Sequence, residues 1–399
     1  MKKITLFFAA MVALGAAFVG CKDSDGVGPV TVGYQITVKY PGAYKDKVAV
    51  NAEVTLTNAV TGSTTKVSTS ETGVANFVDI LPGTYQVSVK KDLTAAESVV
   101  QTGIESEVYL NAALINHTIQ ASGATEIQLI GSKVGGLVFK EIYFTGSPDF
   151  YFYDQFYEIY NNSTDTLFAD SLCIGDVAGN PWLSSASKPS GFQNDKDYTY
   201  LQNVWMIPGT GKSVPVAPGK SIIVAETGIN HKTDPLGNPQ SPVNLGKGTA
   251  DFESYVATSN RDIDNPDVPN LVQIYWGAGT LFDWLTPVVG PSMVIFKHKA
   301  PASLALVTEP NSTSTKKYVQ VPVASVIDAV DILANEGAGA FKRLPSALDA
   351  GFKYCTGTYN KESVRRKVKT TLNGRRVLQD SNNSTNDFEV IATPTPKGW

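Results

Sequence analysis

The sequence is poor in the residue types on which most catalytic and metal centres depend. Its 399 residues include three histidines and three cysteines, and only 18% are charged. The histidines, His117, His231 and His298, each stand apart from any metal-ligand motif. Because a zinc site or a Ser/His/Asp triad needs a histidine held by a specific neighbour, neither is predicted. We therefore expect no metal, no cofactor and no enzymatic activity.

The sequence also lacks an excess of positive charge and, after residue 20, any long apolar run. Its formal net charge of −4 argues against a dedicated nucleic-acid binder. No later stretch approaches 18 consecutive apolar residues, so no transmembrane helix is expected. With 42% hydrophobic residues, the chain has a globular composition, and its length predicts two or three domains.

The N-terminus has the layout of an export signal. Lys2 and Lys3 precede an uncharged run that ends before Cys21, so residues 1–20 are predicted to be a signal peptide. The residues Phe-Val-Gly-Cys at 18–21 resemble a bacterial lipobox, which implies that Cys21 is diacylated and anchors the protein. An ordinary signal peptide with an incidental cysteine is the alternative. Lys22, Asp23 and Asp25 resemble the export tag of Bacteroidetes surface lipoproteins, which implies a cell-surface location on the outer membrane.

A linker is expected at residues 21–32, followed by a first β-sandwich over residues 33–130. Apolar and polar residues alternate at 34–39, 54–57 and 85–90, which predicts half-buried strands separated by Pro-Gly and Thr-Gly turns. Residues 94–101 are predicted as a short helix capped by Thr94 and Glu97. The run at 72–87 resembles prealbumin-like domains related to the carboxypeptidase regulatory domain. That resemblance implies a small seven-stranded sandwich without catalytic residues.

A second all-β domain is expected over residues 131–399. The predicted strands at 136–143 and 155–163, with the Pro-Gly turn before 220–225, resemble a lamin-tail domain, as do residues 326–331, 363–366 and 380–388. This resemblance implies an elaborated immunoglobulin-like sandwich. Insertions at 183–212, 229–270 and 334–358 are longer than the loops of compact domains and are candidates for functional surface. The whole order of segments resembles a Bacteroidetes lipoprotein family of unknown function.

A basic segment surrounds Asn373-Gly374. Its charged members are Arg365, Arg366, Lys367, Lys369, Arg375 and Arg376. Asn-Gly between two extended runs predicts a β-hairpin, because both central residues need positive φ. One interpretation is that this ribbon contacts an anionic ligand. The other is that its charges protect an exposed strand edge against pairing with another chain.

Three further features each have two interpretations. The aromatic residues at 150–153, with Trp276, Phe282 and Trp284, could stack on sugars, but the filling of a sandwich core is favoured. The loop at 262–267 carries three carboxylates that could hold Ca²⁺, yet it lacks the glycine and glutamate of an EF-hand loop, so a solvated turn is favoured. Cys173 and Cys355 could form a disulfide, although free buried thiols are favoured.

Together these patterns predict a lipid-anchored binding or accessory protein of the outer membrane. Its expected partners are the membrane itself and either a TonB-dependent transporter or an extracellular ligand, because recognition usually occurs on long loops carried by a rigid scaffold. A structural or adhesive envelope protein is the alternative. A hydrolase is the least favoured reading, since no nucleophile and base can be named.

The lipidation hypothesis predicts the behaviour of a single substitution. Cys21→Ser should leave an unprocessed precursor that is not held in the outer membrane, because serine offers no thiol for the acyl group. Fractionation of cells followed by immunoblotting measures this. Unchanged retention of the variant in the membrane fraction would show that Cys21 is not the anchor.

Overall fold

The computed structural model describes residues 30–42, 44–102, 108–133, 136–163, 165–279, 281–372 and 374–399. The fold is all-β, with 40% of residues in strands and 6% in helices. The predicted signal peptide, Cys21, Lys22, Asp23 and Asp25 lie outside the described residues, as does Asn373. Among the helices of the described ranges, none has the length and apolarity needed to span a membrane.

In the described residues, eight strands and one helix form the first sandwich. They are β1 (Val32–Lys39), β2 (Glu53–Asn58), β3 (Thr64–Ser68), β4 (Val74–Ile80), β5 (Gly83–Leu93), α1 (Ala95–Thr102), β6 (Val108–Ile119), β7 (Gly123–Gln128) and β8 (Ile130–Lys133). A five-stranded sheet in the order β3-β2-β5-β6-β8 packs on a three-stranded sheet in the order β4-β1-β7. Strands β1 and β7 are parallel to each other.

The second sandwich begins at residue 137 and contains the remaining strands of the described chain. They are β9 (Leu137–Tyr143), β10 (Phe156–Asn161), β11 (Leu167–Phe168), β12 (Cys173–Val177), β13 (Tyr198–Met206), β14 (Pro215–Val216), β15 (Ser221–Ala225), β16 (Phe252–Glu253), β17 (Val272–Trp276), β18 (Met293–Phe296), β19 (Leu306–Thr308), β20 (Lys317–Pro322), β21 (Val326–Val330), β22 (Ser363–Arg366), β23 (Val368–Leu372), β24 (Arg375–Leu378) and β25 (Phe388–Ile391). A short helix, α2 (Ser384–Asp387), precedes the last strand.

Two large sheets form this second sandwich. One has the order β16-β15-β10-β9-β22-β25, and the other has the order β19-β20-β13-β12-β18-β21, with β17 beside β13. Their facing side chains form one apolar core that includes Phe139 and Tyr157 from the first sheet and Trp205 and Ile295 from the second. The two small ribbons β11-β14 and β23-β24 lie outside these sheets.

Most of the predicted elements are confirmed, with two corrections. Helix α1 has the expected capping box: the Thr94 amide donates to Glu97 Oε2 at 2.8 Å, and the Glu97 amide donates to Thr94 Oγ1 at 3.3 Å. The first sandwich has eight strands rather than seven, because β8 pairs with β6 and continues to Lys133. The predicted insertion at 183–212 is wrong in part, because it contains strand β13 of the second sandwich. Most residues of β13 are buried, so the strand lacks the apolar-polar alternation by which a half-exposed strand is recognised.

Arg366 links both large sheets from inside the second sandwich. Its guanidinium donates to Asp328 Oδ2 at 2.7 Å and to Asp380 Oδ1 at 3.0 Å, while Nε donates to the Phe139 carbonyl at 2.8 Å. The side chain is only 2% exposed. The prediction that Arg366 contacts an external anion is therefore wrong. Strand side chains alternate between the two faces of a sheet, so Arg366 points into the protein although it belongs to a run of basic residues.

Replacing Arg366 with methionine should destabilise the fold strongly. Removing the cation leaves the carboxylates of Asp328 and Asp380 buried without their partner, which typically costs about 3–5 kcal/mol. Urea denaturation near neutral pH measures the free energy of unfolding. Arg365→Gln is the matched control, because Arg365 pairs with Glu389, whose side chain is 44% exposed, and an exposed pair contributes about 0–1 kcal/mol. Equal losses in the two variants would contradict this assignment.

Candidate ligand-binding cleft between the two sandwiches

A cavity of about 540 Å³ lies between the five-stranded sheet of the first sandwich and loops of the second. One wall follows directly from strand alternation. On β2, Val54 and Leu56 point into the core, whereas Thr55 and Thr57 face outward into the cleft. The neighbouring β5 places Ser88 opposite Thr55, so the wall presents rows of polar side chains.

The opposite wall is formed by residues 350–354 and by the turn at 381–386. These two segments are hydrogen-bonded to each other: Thr385 Oγ1 donates to the Phe352 carbonyl at 2.9 Å, and the Ser384 amide donates to Asp349 Oδ1 at 2.8 Å. Gly351 permits this approach, because a Cβ at that position would overlap the side chains of Asn383 and Thr385. The wall is therefore held in place before any ligand binds.

Asn111 on β6 lies where the two walls meet. Its Nδ2 donates to the carbonyl of Ser381, which connects the two sandwiches. The residue is 4% exposed, yet its Oδ1 has no hydrogen-bond partner in the described part of the chain. A buried acceptor without a partner costs free energy, so this oxygen marks a position where a ligand donor would be favoured.

Two charged side chains that line the cleft, Lys353 and the exposed Glu336, have no ion-pair partner within the described residues. Lys66 forms an ion pair of 2.9 Å with Glu53, and Lys90 forms one of 3.1 Å with Asp92. The half-buried Lys353 makes no side-chain hydrogen bond or ion pair within the described ranges. Burial, followed by the nearby charge of Lys367, lowers the pKa of Lys353. An anionic group in the cleft would relieve both effects.

The predicted basic ribbon does not converge on one anion site. The hairpin itself is confirmed, since β23 pairs with β24. Arg375 Nη1 donates to the Asn162 carbonyl at 2.9 Å, Arg376 lies 4.3 Å from the centre of the Trp399 ring, and Lys367 Nζ donates to the Asn386 carbonyl at 2.7 Å. Lys369 lines a smaller cavity of about 100 Å³ beside the cleft. These basic groups mainly tie the ribbon to the protein.

The remaining candidate residues are dispersed. Trp284 is buried, as expected, but Phe150 is 77% exposed, so its placement in the core is wrong.

Cys173 and Cys355 are free and buried, and burial raises the pKa of the Cys173 thiol to about 12. The carboxylate of Asp262 accepts from the Val256 amide at 2.6 Å, which supports the turn interpretation of its loop. Within the described residues, no three carboxylate, histidine or cysteine side chains are arranged to hold a metal ion.

Sequence reasoning missed Asn111, and it included Gly351 and Lys353 only as unnamed members of the insertion at 334–358. The outward residues of β2 and β5 could have been identified as one polar surface from their alternation. What the sequence does not show is which part of the second sandwich faces them. That depends on the contact between Asn111 and Ser381, which are 270 residues apart.

A group of buried carboxylates lies in the second sandwich, apart from the residues that line the cleft. Glu226 and Asp283 have pKa values well above their usual range, first because of burial and then because neighbouring carboxylates repel them. Burial likewise raises the pKa of Glu253 to about 7 and that of Asp154 to about 6. In the folded protein these groups hold protons at a pH where they would be ionised in the unfolded chain.

These shifts predict that the protein loses stability as pH rises from 6.5 to 8. Folded Glu253 binds a proton that the unfolded residue has already released, so the free energy of unfolding falls as pH increases through its folded pKa. His231 acts in the opposite direction, since its pKa is lowered to about 4, but its effect lies below this window. Glu253→Gln should flatten the slope measured by urea denaturation at several pH values. A slope that the substitution does not change would contradict the assignment.

Comparison with known proteins finds one matching family, and no activity is known for it. Residues 217–395 match DUF4876, a family described as protein of unknown function, and no curated protein matches the chain. The chain is similar to a crystal structure of a DUF4876 family protein from Bacteroides thetaiotaomicron, with 28% identity, coverage of 90% of this chain and 94% of that chain, and a TM-score of 0.57.

Two other solved structures resemble the chain only weakly. A candidate adhesin from Bacteroides ovatus is 10% identical, with 75% of this chain and 84% of that chain covered and a TM-score of 0.19. A variant of the major pilin subunit BcpA of Bacillus cereus is 9% identical, with 74% and 96% covered and a TM-score of 0.18. Such low TM-scores carry no argument about fold or function. Residues 217–395 therefore match the DUF4876 family of unknown function, and the chain is similar to a protein of Bacteroides that belongs to this family.

Proposed function

We propose that this protein is a non-enzymatic binding protein that holds a hydrophilic, negatively charged ligand in the cleft between its two sandwiches. The observation that carries the proposal is Asn111, whose buried Oδ1 lacks a partner within the described residues at the point where the walls meet. Ligand pockets occur preferentially at domain interfaces, and the cleft volume of about 540 Å³ is typical of them.

The chemistry of the cleft selects the ligand class. Hydroxyl and amide side chains on both walls can exchange hydrogen bonds with a hydrated ligand, and the Lys353 ammonium group can pair with a carboxylate. Phe352 and Tyr354, whose ring centres are 6.3 Å apart, add an apolar surface beside them. We therefore assign the cleft to an oligomer that carries carboxylates, from a saccharide or from a peptide.

The proposal includes the location and the architecture expected from the sequence. Acylation of Cys21 would tether the two sandwiches to the outer membrane, and Lys22, Asp23 and Asp25 would direct them to the cell surface. The first sandwich would be prealbumin-like and the second lamin-tail-like. A ligand held at this place could be passed to a TonB-dependent transporter in the same membrane.

Isothermal titration calorimetry of residues 30–399 with hexagalacturonate and with hexaglutamate tests the cleft. We expect one of these probes to bind, and Lys353→Met to weaken binding by about tenfold or more because it removes the unpaired cation. Raising the salt concentration should weaken binding further, since attraction between exposed charges is screened. The probe that binds identifies the source of the carboxylates.

Two controls make the outcome decisive. Lys188→Met removes an exposed lysine that does not line the cleft, and Gln35→Trp adds bulk on the exposed face of β1; neither should change binding. Ser88→Trp should abolish binding by filling the cleft. Failure of both probes to bind, or an equal effect of Lys188→Met and Lys353→Met, would refute an anion-binding cleft.

A further inference from the structure

A row of aromatic side chains lies on the surface of the second sandwich. We call it the aromatic strip and define it by Phe150, Phe152, Tyr153, Phe282 and Tyr359. Phe150 is 77% exposed, and the other four side chains are partly exposed. None of these residues lines the cleft. Rings of this size are normally buried, so their exposure together needs a reason.

The rings contact one another in sequence along the strip. Phe150 meets Tyr359 edge to face with ring centres 5.1 Å apart, and Tyr359 lies 6.4 Å from Phe152. Phe152 stacks on Tyr153 at 4.9 Å, and Tyr153 lies 6.2 Å from Phe282. Each ring is therefore held by a neighbour, and the strip forms one preorganised surface.

The backbone is strained at the exposed end of the strip. Phe150 has φ 59° and Tyr359 has φ 55°. Both values lie in the left-handed region, which is unfavourable for a bulky residue. The flanking chain holds this conformation, since the Ser147 amide donates to the Tyr151 carbonyl at 2.8 Å. Burial of Phe150 does not offset the strain, because its ring faces solvent.

The polar groups along the strip favour a neutral, hydroxyl-rich ligand. The phenol hydroxyls of Tyr153 and Tyr359 have no hydrogen-bond partner in the described part of the chain. Asp149, next to Phe150, accepts from Gln240 at 2.6 Å, while the Arg261 guanidinium lies 3.7 Å from the Phe282 ring centre at the other end. Asp149 and Arg261 place opposite charges at the two ends of the strip, an arrangement that does not select a ligand of one sign.

We propose that the aromatic strip is a second binding site, independent of the cleft, that binds the chain of a neutral polysaccharide. The apolar C–H faces of pyranose rings stack on aromatic rings, while the free phenols exchange hydrogen bonds with sugar hydroxyls. Phe152 and Tyr153 cover one face of each other and Arg261 lies on Phe282, so stacking is expected first on the exposed Phe150. The length of the strip suits a polymer better than a single sugar. No bond is made or broken at this site.

Electrophoresis through native gels that contain laminarin, xylan, glucomannan or dextran tests the proposal. We expect at least one polysaccharide to retard the protein, and Phe150→Ala and Tyr359→Ala each to weaken binding by about tenfold. Trp182→Ala is the matched control, because Trp182 is an aromatic residue that is 59% exposed and lies outside the strip. Thermal unfolding of each variant shows whether it folds.

The possible outcomes separate this site from its alternatives. Binding that survives Lys353→Met but not Phe150→Ala supports the strip and leaves the cleft to its own test. Absence of retardation by all four polysaccharides, or retardation that both strip variants retain, would overturn the proposal. Self-association or binding to neutral phosphatidylcholine vesicles that Phe150→Ala abolishes, without any polysaccharide binding, would show a protein or lipid contact and overturn it too.

Discussion

The burial of one guanidinium among three carboxylates is the constraint on which the rest of the second sandwich depends. Arg366 on β22 reaches Asp328 in the opposite sheet and, through Asp380 and Asp387, the turn before β25. Taking these charges out of water is costly unless every hydrogen-bonding group finds a partner. Because this condition fixes the distances between the Arg366 guanidinium and the three carboxylates, the network determines how the two sheets face each other. It also determines where the turn at 381–386 lies.

A second buried network extends this control to the cleft. Asp331 accepts from Lys342 Nζ at 3.0 Å, and Asp349 accepts from the amides of Asp331 and Ser384 at 2.8 Å each. These hydrogen bonds attach the irregular segments around Lys342, Asp349 and Ser384 to the second sandwich. The wall formed by residues 350–354 is consequently held by hydrogen bonds and by an isolated bridge between Lys353 and Ile332, although no regular element contains it.

The sequence made some of these features predictable and others not, for physical reasons. Alternation assigned the inward face of β2 because Val54 and Leu56 differ from Thr55 and Thr57 in hydrophobicity. The prediction for Arg366 was wrong because a basic run suggests solvent exposure. Its partners, Asp328 and Phe139, lie 38 and 227 residues away in the sequence, and they hold its side chain inside the protein. Phe150 was wrongly predicted to lie in the core, because neither its positive φ nor its exposed position can be recognised from an aromatic-rich segment.

Both proposed sites share a preorganised geometry. The cleft is held by hydrogen bonds between its two loops and by the contact of Asn111 with Ser381, and the aromatic strip is held by ring contacts and by a strained backbone. Binding to such surfaces does not require the ordering of side chains or loops, and the free energy otherwise lost in ordering is retained as affinity. The cost appears instead in folding, as buried charge and backbone strain. The lower folding stability that results is offset by recognition surfaces that keep one conformation with or without a ligand.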